Sequence, residues 1–167
     1  MSIWQDQNGG LHDDDGGAAL SLPNWPQGAT MLTEAQVQAL QAPTLDQVKA
    51  QQIAALQAAY KAAIDTPVSF KNAAGVTSTY PAGDSVSLNG KTASRNLSDC
   101  LTPGAAAWTM GKWLDSNNVA QDFTYADLQG LAAAMEAVEV VDWQELVTKV
   151  AAVQAAMTLA GVQAVTF

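Results

Sequence analysis

DFTYADLQGLAAAMEAVEVVDWQELVTKVAAVQAAMTLAGVQAVTF, residues 122–167, is the stretch whose reading decides the fold. Thr124-x-x-Asp127 is a helix-start signal: a threonine oxygen caps the first free N–H groups, and an acid three residues on answers it. An alanine-rich amphipathic pattern follows. Leu128, Leu131, Met135 and Val138 make one face, and Trp143, Leu146, Val147, Val150, Val153 and Met157 make another. The register slips at Val140-Val141-Asp142, and Asp142-x-x-Glu145 is a capping pattern of its own, so a kink or a break is expected there. Thr158-Leu159-Ala160-Gly161 is a second cap-like turn before a short β-prone tail. The stretch holds no catalytic constellation, and its apolar faces need cover, so the chain reads as built to associate.

Upstream, Trp108, Met110, Lys112 and Leu114 alternate with Thr109, Gly111 and Trp113, which predicts a strand. Asp115-Ser116-Asn117-Asn118 turns the chain, and residues 119–123 return as the partner strand. Val68–Lys71 and Val76–Tyr80, joined by Asn72-Ala73-Ala74-Gly75, predict a second β-hairpin. Between the hairpins a helix is expected from about Thr92, and Pro103-Gly104 is a turn. Thr33-x-x-Gln36 and Thr44-x-x-Gln47 are capping patterns for a helix that Pro43 stops and for a longer one running to about Ile64. The stripe Leu45, Val48, Ile53, Leu56, Tyr60 and Ile64 on that second helix is either a helix-pairing seam between chains or a face laid on its own domain. Residues 1–30 read as an irregular arm. Asn8-Gly9 favours a tight hairpin between Trp4 and Leu11, Asp13–Gly17 is polar and flexible, and Pro23-Asn24-Trp25-Pro26 is extended. The sum is α+β: a small antiparallel sheet of about four strands packed with long Ala-rich helices, plus the irregular arm. The segments are an arm with a short hairpin over 1–32, a helical linker or oligomerisation segment over 33–66, and a C-terminal α+β domain over 67–167.

Composition narrows the function. The chain has 167 residues, 16 acidic against seven basic, and a formal net charge of −9. Without a basic footprint a nucleic-acid partner is disfavoured, and an acidic protein is repelled by anionic membranes. No apolar run spans a bilayer, and no leader follows Met1. The single cysteine, Cys100, excludes an intrachain disulfide and fits a reducing compartment. Much of the apolar content is alanine, so the core is expected to be thin for the length, with partner subunits completing the burial.

The chemical candidates are weak one by one. His12 beside Asp13, Asp14 and Asp15 suggests a metal site, but the run lacks the alternating ligands of an EF-hand and reads as solvated. Cys100 has no neighbouring base and reads as a buried thiol. There is no Gly-x-Ser-x-Gly elbow, and Asn89-Gly90-Lys91-Thr92 lacks the upstream glycine of a phosphate-binding loop. The tryptophans say more. Trp108 and Trp113 have opposite parity on one strand, so one faces the core and the other outward. Trp4 and Trp25 in the arm read as interface or core alike, and Trp143 reads as core. Because Trp is a favoured interface anchor, Trp4, Trp25, Trp108 and Trp113 are the candidate partner-binding residues. No catalytic, cofactor-binding or metal residues are assigned, and no cofactor is expected.

At Asp122–Met135 the chain resembles a C-terminal domain of phage and prophage proteins, DUF4376, found beside tail-fibre assembly functions. The likeness runs on through Trp143, the Leu146 helix and Thr158-Leu159-Ala160, and more loosely covers Gly75–Tyr80. The start, with Trp4 to Leu11, Leu22-Pro23-Asn24-Trp25-Pro26 and Leu32-Thr33-Glu34, is similar to tail-fibre assembly proteins. Asn89-Gly90-Lys91 and the tail Val165-Thr166-Phe167 depart from the pattern. The resemblance implies no enzyme but a tail-fibre-associated protein, an assembly chaperone or fibre-tip subunit, in the host cytoplasm during assembly or on the virion tail, with a tail fibre or other tail protein as partner. Self-association, as a trimer on a threefold fibre, is a further expectation. The alternatives are a structural virion component (baseplate, collar or fibre attachment) and, more remotely, a host-surface glycan hydrolase.

Overall fold

In the computed structural model, residues 2–21, 24–86 and 89–167 are described, Ala18 and Ser21 by their backbone alone. Leu22 and Pro23 of the Pro-led segment, and Ser87 and Leu88 ahead of the Thr92 helix, lie outside the described residues. The chain divides into two units, Met1–Thr44 and Leu45–Phe167. The first helix therefore belongs with the arm, and the second with the C-terminal body.

In the first unit, β1 (Ile3–Gln5), β2 (Leu11–Asp13) and β3 (Thr30–Met31) form an antiparallel sheet in the order β2-β1-β3. Trp4 stands opposite His12 on one side and Met31 on the other. The expected Asn8-Gly9 turn closes the hairpin. Gly9 takes φ +84°, and Asp6 Oδ1 accepts the N–H groups of Asn8 and Gly10, both at 2.8 Å. The polar stretch Asp13–Gly17 runs into a 3-10 segment at Asp15–Ser21, broken by left-handed backbone at Gly16 and Gly17. α1 (Glu34–Gln41) starts on the anticipated box: Thr33 accepts the Gln36 N–H, and Gln36 accepts the Thr33 N–H at 2.8 Å. No residue of α1 is buried.

The second unit holds α2 (Leu45–Ile64), β4 (Val68–Lys71), β5 (Thr77–Tyr80), α3 (Ala93–Leu101), β6 (Lys112–Leu114), β7 (Ala120–Asp122), α4 (Tyr125–Ala155) and α5 (Leu159–Gln163). The α+β class is as expected, but its four strands form two separate two-stranded hairpins, β4-β5 and β6-β7, and not one sheet. Single bonds bridge the hairpins in place of a ladder: Ser116 N–H donates to the Thr79 carbonyl at 2.8 Å, and the Asn72 amide donates to the Asp122 carbonyl at 2.9 Å. α3 begins on Thr92, whose hydroxyl accepts the Arg95 N–H. β6 is shorter than expected, because a 3-10 turn at Ala105–Ala107 carries the chain through Trp108 before extension begins.

α4 corrects the expectation of a kink or break at Val140-Val141-Asp142: it is one helix of 31 residues. Its start is the capping box of Thr124 and Asp127. The apparent slip has a geometric cause. From Leu128 to Leu146 is about five whole turns, so the two residues sit on the same side of the helix. Leu128, Leu131 and Met135 continue in line into Leu146, Val150 and Val153. Trp143 and Val147, assigned above to the second face, lie off this stripe and are exposed. Neither Pro nor Gly interrupts the central turns, so nothing forces a break.

That stripe builds two apolar cores. Toward the start of α4, Leu128 and Leu131 pack with Tyr80, Leu97 and Phe123, with Phe70, Trp108, Trp113 and Met135 at the edge. Toward its end, Leu146 and Val153 pack with Val48 and Leu56 of α2 and Val162 of α5. The α2 stripe is therefore laid on its own unit, and the alternative of a seam between chains is not needed to cover Val48 and Leu56. α5 starts on Thr158, whose hydroxyl accepts the Gly161 N–H at 3.1 Å. The tail after it forms no strand. Val165 and Phe167 close over the second core, and the Gln52 amide donates to the Val165 carbonyl at 2.5 Å.

Gly130 sets how closely α4 approaches β4. A Cβ there would stand 2.9 Å from two atoms of the Phe70 ring, and that ring is held against Tyr80 and Phe123 at centroid distances of 6.4 and 5.9 Å. Alanine gains about 1 kcal/mol of helix propensity over glycine, while overpacking a core costs about 1–3 kcal/mol. Gly130→Ala should therefore be destabilised by about 1 kcal/mol in urea unfolding, and Gly130→Ala with Phe70→Leu should recover part of the loss.

Candidate interaction surface

The four indoles singled out from sequence form two pairs, one in each unit, and each pair is half-buried. Trp4 meets Trp25 edge-on at 6.0 Å, and Trp25 meets the His12 ring at 5.9 Å. The Trp4 indole N–H points to Asp14 at 3.5 Å. Trp108 and Trp113 lie 6.2 Å apart, and the Trp108 indole N–H donates to the Phe123 carbonyl at 2.9 Å. Both of these rings rest against the first core. The expectation that one of them faces outward rested on strand parity. It fails because Trp108 precedes β6, capping the end of the 3-10 turn at Ala105–Ala107.

The exposed indole is Trp143, which sequence analysis placed in the core. It is 54 % exposed, with Val140 at 46 % and Val147 at 51 %. Spaced i, i+3 and i+7, these three share a face of α4. Glu136, one turn before Val140, lies on the same face and is exposed. Trp143 makes a T-shaped contact with Tyr60 of α2 at 5.8 Å. Burial, then the negative charges of Glu139 and Asp142, push the Tyr60 hydroxyl above its usual range. Helical-wheel arithmetic on Leu128, Leu146 and Val153 would have set Trp143 off the buried stripe; grouping it with Leu146 by proximity in sequence hid this.

Beside this face runs a shallow groove of about 400 Å³ between α3 and α4. Leu97, Leu101 and Met135 floor it, Ser98 edges it, and Glu136 and Glu139 wall it on the α4 side. Glu139 thus belongs both to the groove and to the surroundings of Tyr60 and Trp143. Among the described residues, the side chains of Glu136, Glu139 and Asp142 hold no hydrogen bond or ion pair. The neighbouring cations are engaged elsewhere: Lys91 and Arg95 with Asp99, Lys61 with Asp65 and Asp84, and Lys149 with Glu145.

The buried acids are structural fasteners. Asp115 accepts the Asn117 and Val119 N–H groups on one oxygen, both at 2.9 Å. Its other oxygen accepts the Ser78 hydroxyl at 2.8 Å and the Gln121 amide at 3.0 Å. The Val119 N–H and the Ser78 hydroxyl foremost hold its carboxyl below the usual range. Burial pushes Asp127 up, but the Thr124 hydroxyl, the Thr124 N–H and the Ala73 N–H outweigh it and leave that carboxyl lowered too. Asn72 completes the set, accepting the Val76 N–H at 2.8 Å while its amide reaches Asp122. The Tyr80 hydroxyl is buried among these groups with no hydrogen-bond partner in the described residues.

Of His12 and its acidic neighbours, Asp14 is buried and His12 is half-buried, while Asp13 and Asp15 are exposed. His12 Nε2 pairs with Asp6 at 2.9 Å, and Asp14 accepts the Ser2 N–H at 2.9 Å and the Gly16 N–H at 3.1 Å. Among the described residues no three His, Cys, Asp or Glu side chains come together as a metal site would require. Cys100 is half-buried at the edge of the first core, and burial, then Asp99, push its thiol up, away from the reactive thiolate. No helix among the described residues is long and apolar enough to cross a membrane. Compared with family models, curated proteins and solved structures, the chain finds no match.

The fasteners carry a pH dependence. A carboxyl lowered on folding adds stability above its unfolded value of about 3.9, and that stability is lost as pH falls through the folded value. Asp115→Asn should therefore melt well below the parent at about pH 7. The gap in Tm should shrink toward about pH 3, where both parent acids are protonated in the unfolded chain. A gap that stays constant between those two pH values would contradict the assignment.

Proposed function

We propose that the protein acts by protein–protein contact, as a tail-fibre-associated assembly factor or fibre-tip subunit of a phage or prophage. The observation that carries the contact reading is the face of Val140, Trp143 and Val147, three large apolar side chains about half exposed on a helix braced at both ends by buried cores. A solvent-facing tryptophan on rigid backbone is the kind of residue that anchors interfaces, since its large area is already ordered and little entropy is lost on binding. The tail-fibre partner is supported by the likeness at Asp122–Met135, which covers the start of that same helix. Interwoven β fibres form through long-range contacts and expose sticky edges while they fold, so a bound partner that covers apolar surface would raise their yield.

Co-expression with the tail-fibre polypeptide of the same genome tests the reading. The expected result is more soluble, trimeric fibre and a co-purifying complex, with complex lost at least tenfold in Trp143→Ala while that variant keeps the parent circular dichroism. Fibre that trimerises equally well alone, with no complex recovered, contradicts it.

A further inference from the structure

We infer that the α3–α4 groove and the adjoining α4 face form one docking track for a basic amphipathic helix of a partner protein. The inference rests on the contact reading above but not on the partner being a fibre.

Glu136, Val140, Trp143 and Val147 fall at i, i+4, i+7 and i+11, the spacing along which two helices pair. The groove floored by Leu97, Leu101 and Met135 extends this line past Glu136 toward the start of α4. From Met135 to Val147 the track is about 18 Å long, the length of about three turns. It therefore suits a helix of about 12 residues with three or four apolar side chains on one face.

Charge selects the occupant. Glu136 and Glu139 wall the groove. Both carboxylates are without ion pairs among the described residues, and the cations nearby are already held by Asp99, Glu145, Asp65 and Asp84. The only basic residue of α4, Lys149, lies on the opposite side of the helix from Glu136, Val140 and Trp143, paired with Glu145. A second copy laid on this track would set carboxylates against carboxylates. A helix with Lys or Arg flanking its apolar side chains would instead neutralise them, as opposite charges do across specific interfaces.

The test uses the full chain and two synthetic helical peptides of about 14 residues. Both carry leucines at i, i+3, i+7 and i+10, one flanked by lysines and the other by glutamates. Fluorescence anisotropy of the labelled lysine peptide should show saturable binding that weakens at least tenfold between about 0.05 and 0.5 M salt, as screening requires. The glutamate peptide should bind at least tenfold more weakly. E136Q with E139Q, both exposed and conservative, should lose the preference for the lysine peptide, and Trp143→Ala should lose binding of both. Equal binding of the two peptides, no saturable binding of the lysine peptide, or binding indifferent to E136Q/E139Q would each overturn the track. A fibre complex that forms normally with E136Q/E139Q would refute the track and leave the contact reading standing. Lysine-peptide binding with no fibre complex would support the track and refute the fibre.

Discussion

The fold depends on one helix supplying a single apolar stripe to two separate cores. Leu128 and Leu131 close the first against the aromatic hairpins and α3, and Leu146 and Val153 close the second against α2 and α5. Neither core is large. Each is completed by half-buried neighbours, and each fixes one end of α4. The central turns, where Glu139 and Asp142 replace apolar residues on the stripe, are held only because both ends are. This is why a stretch without strong amphipathicity of its own stays helical, since packing and not propensity supplies most helical stability in a folded protein.

The same constraint shapes the surface. With both ends buried, the apolar residues that do not fit the stripe have nowhere inside to go, and Val140, Trp143 and Val147 remain outward on rigid backbone. The hairpins carry too few ladder bonds to define their own arrangement. Asn72, Asp115 and Asp127 take over that task, joining turn, strand and helix start through side-chain bonds to backbone N–H and C=O groups. Such bonds must be made once the groups are buried, because an unpaired buried carboxylate or amide is costly.

Local signals were the most legible in the sequence. Thr33, Thr92, Thr124 and Thr158 each head a helix, because a cap is chemistry between residues two or three apart. The Asn8-Gly9 turn and both C-terminal hairpins were readable for the same reason. What escaped depended on partners distant in the chain. The fate of the α2 stripe was undecided until α4 and α5 lay against it. Trp108 was misplaced because nothing in its neighbours signals the 3-10 turn at Ala105–Ala107. Trp143 was misplaced because sequence proximity to Leu146 was allowed to outweigh helical phase. Asn72 and Asp115 were visible as turn formers, but their burial was not, since it comes from hairpins about 40 residues apart meeting in space. Of the four indoles named from sequence, two pairs came together within their units, and the groove walled by Glu136 and Glu139 had no sequence signal beyond acidity.

Hydrogen exchange across Val138–Gln144, read at single-residue level, tests the central claim most directly. If one uninterrupted helix couples the two cores, these amides open only when a core opens, and their protection should match that of residues 131–135 and 146–150 within about tenfold. Exchange at near-unfolded rates over Val140–Trp143, with both flanks protected, would mean two helices meeting at a hinge and would contradict the account.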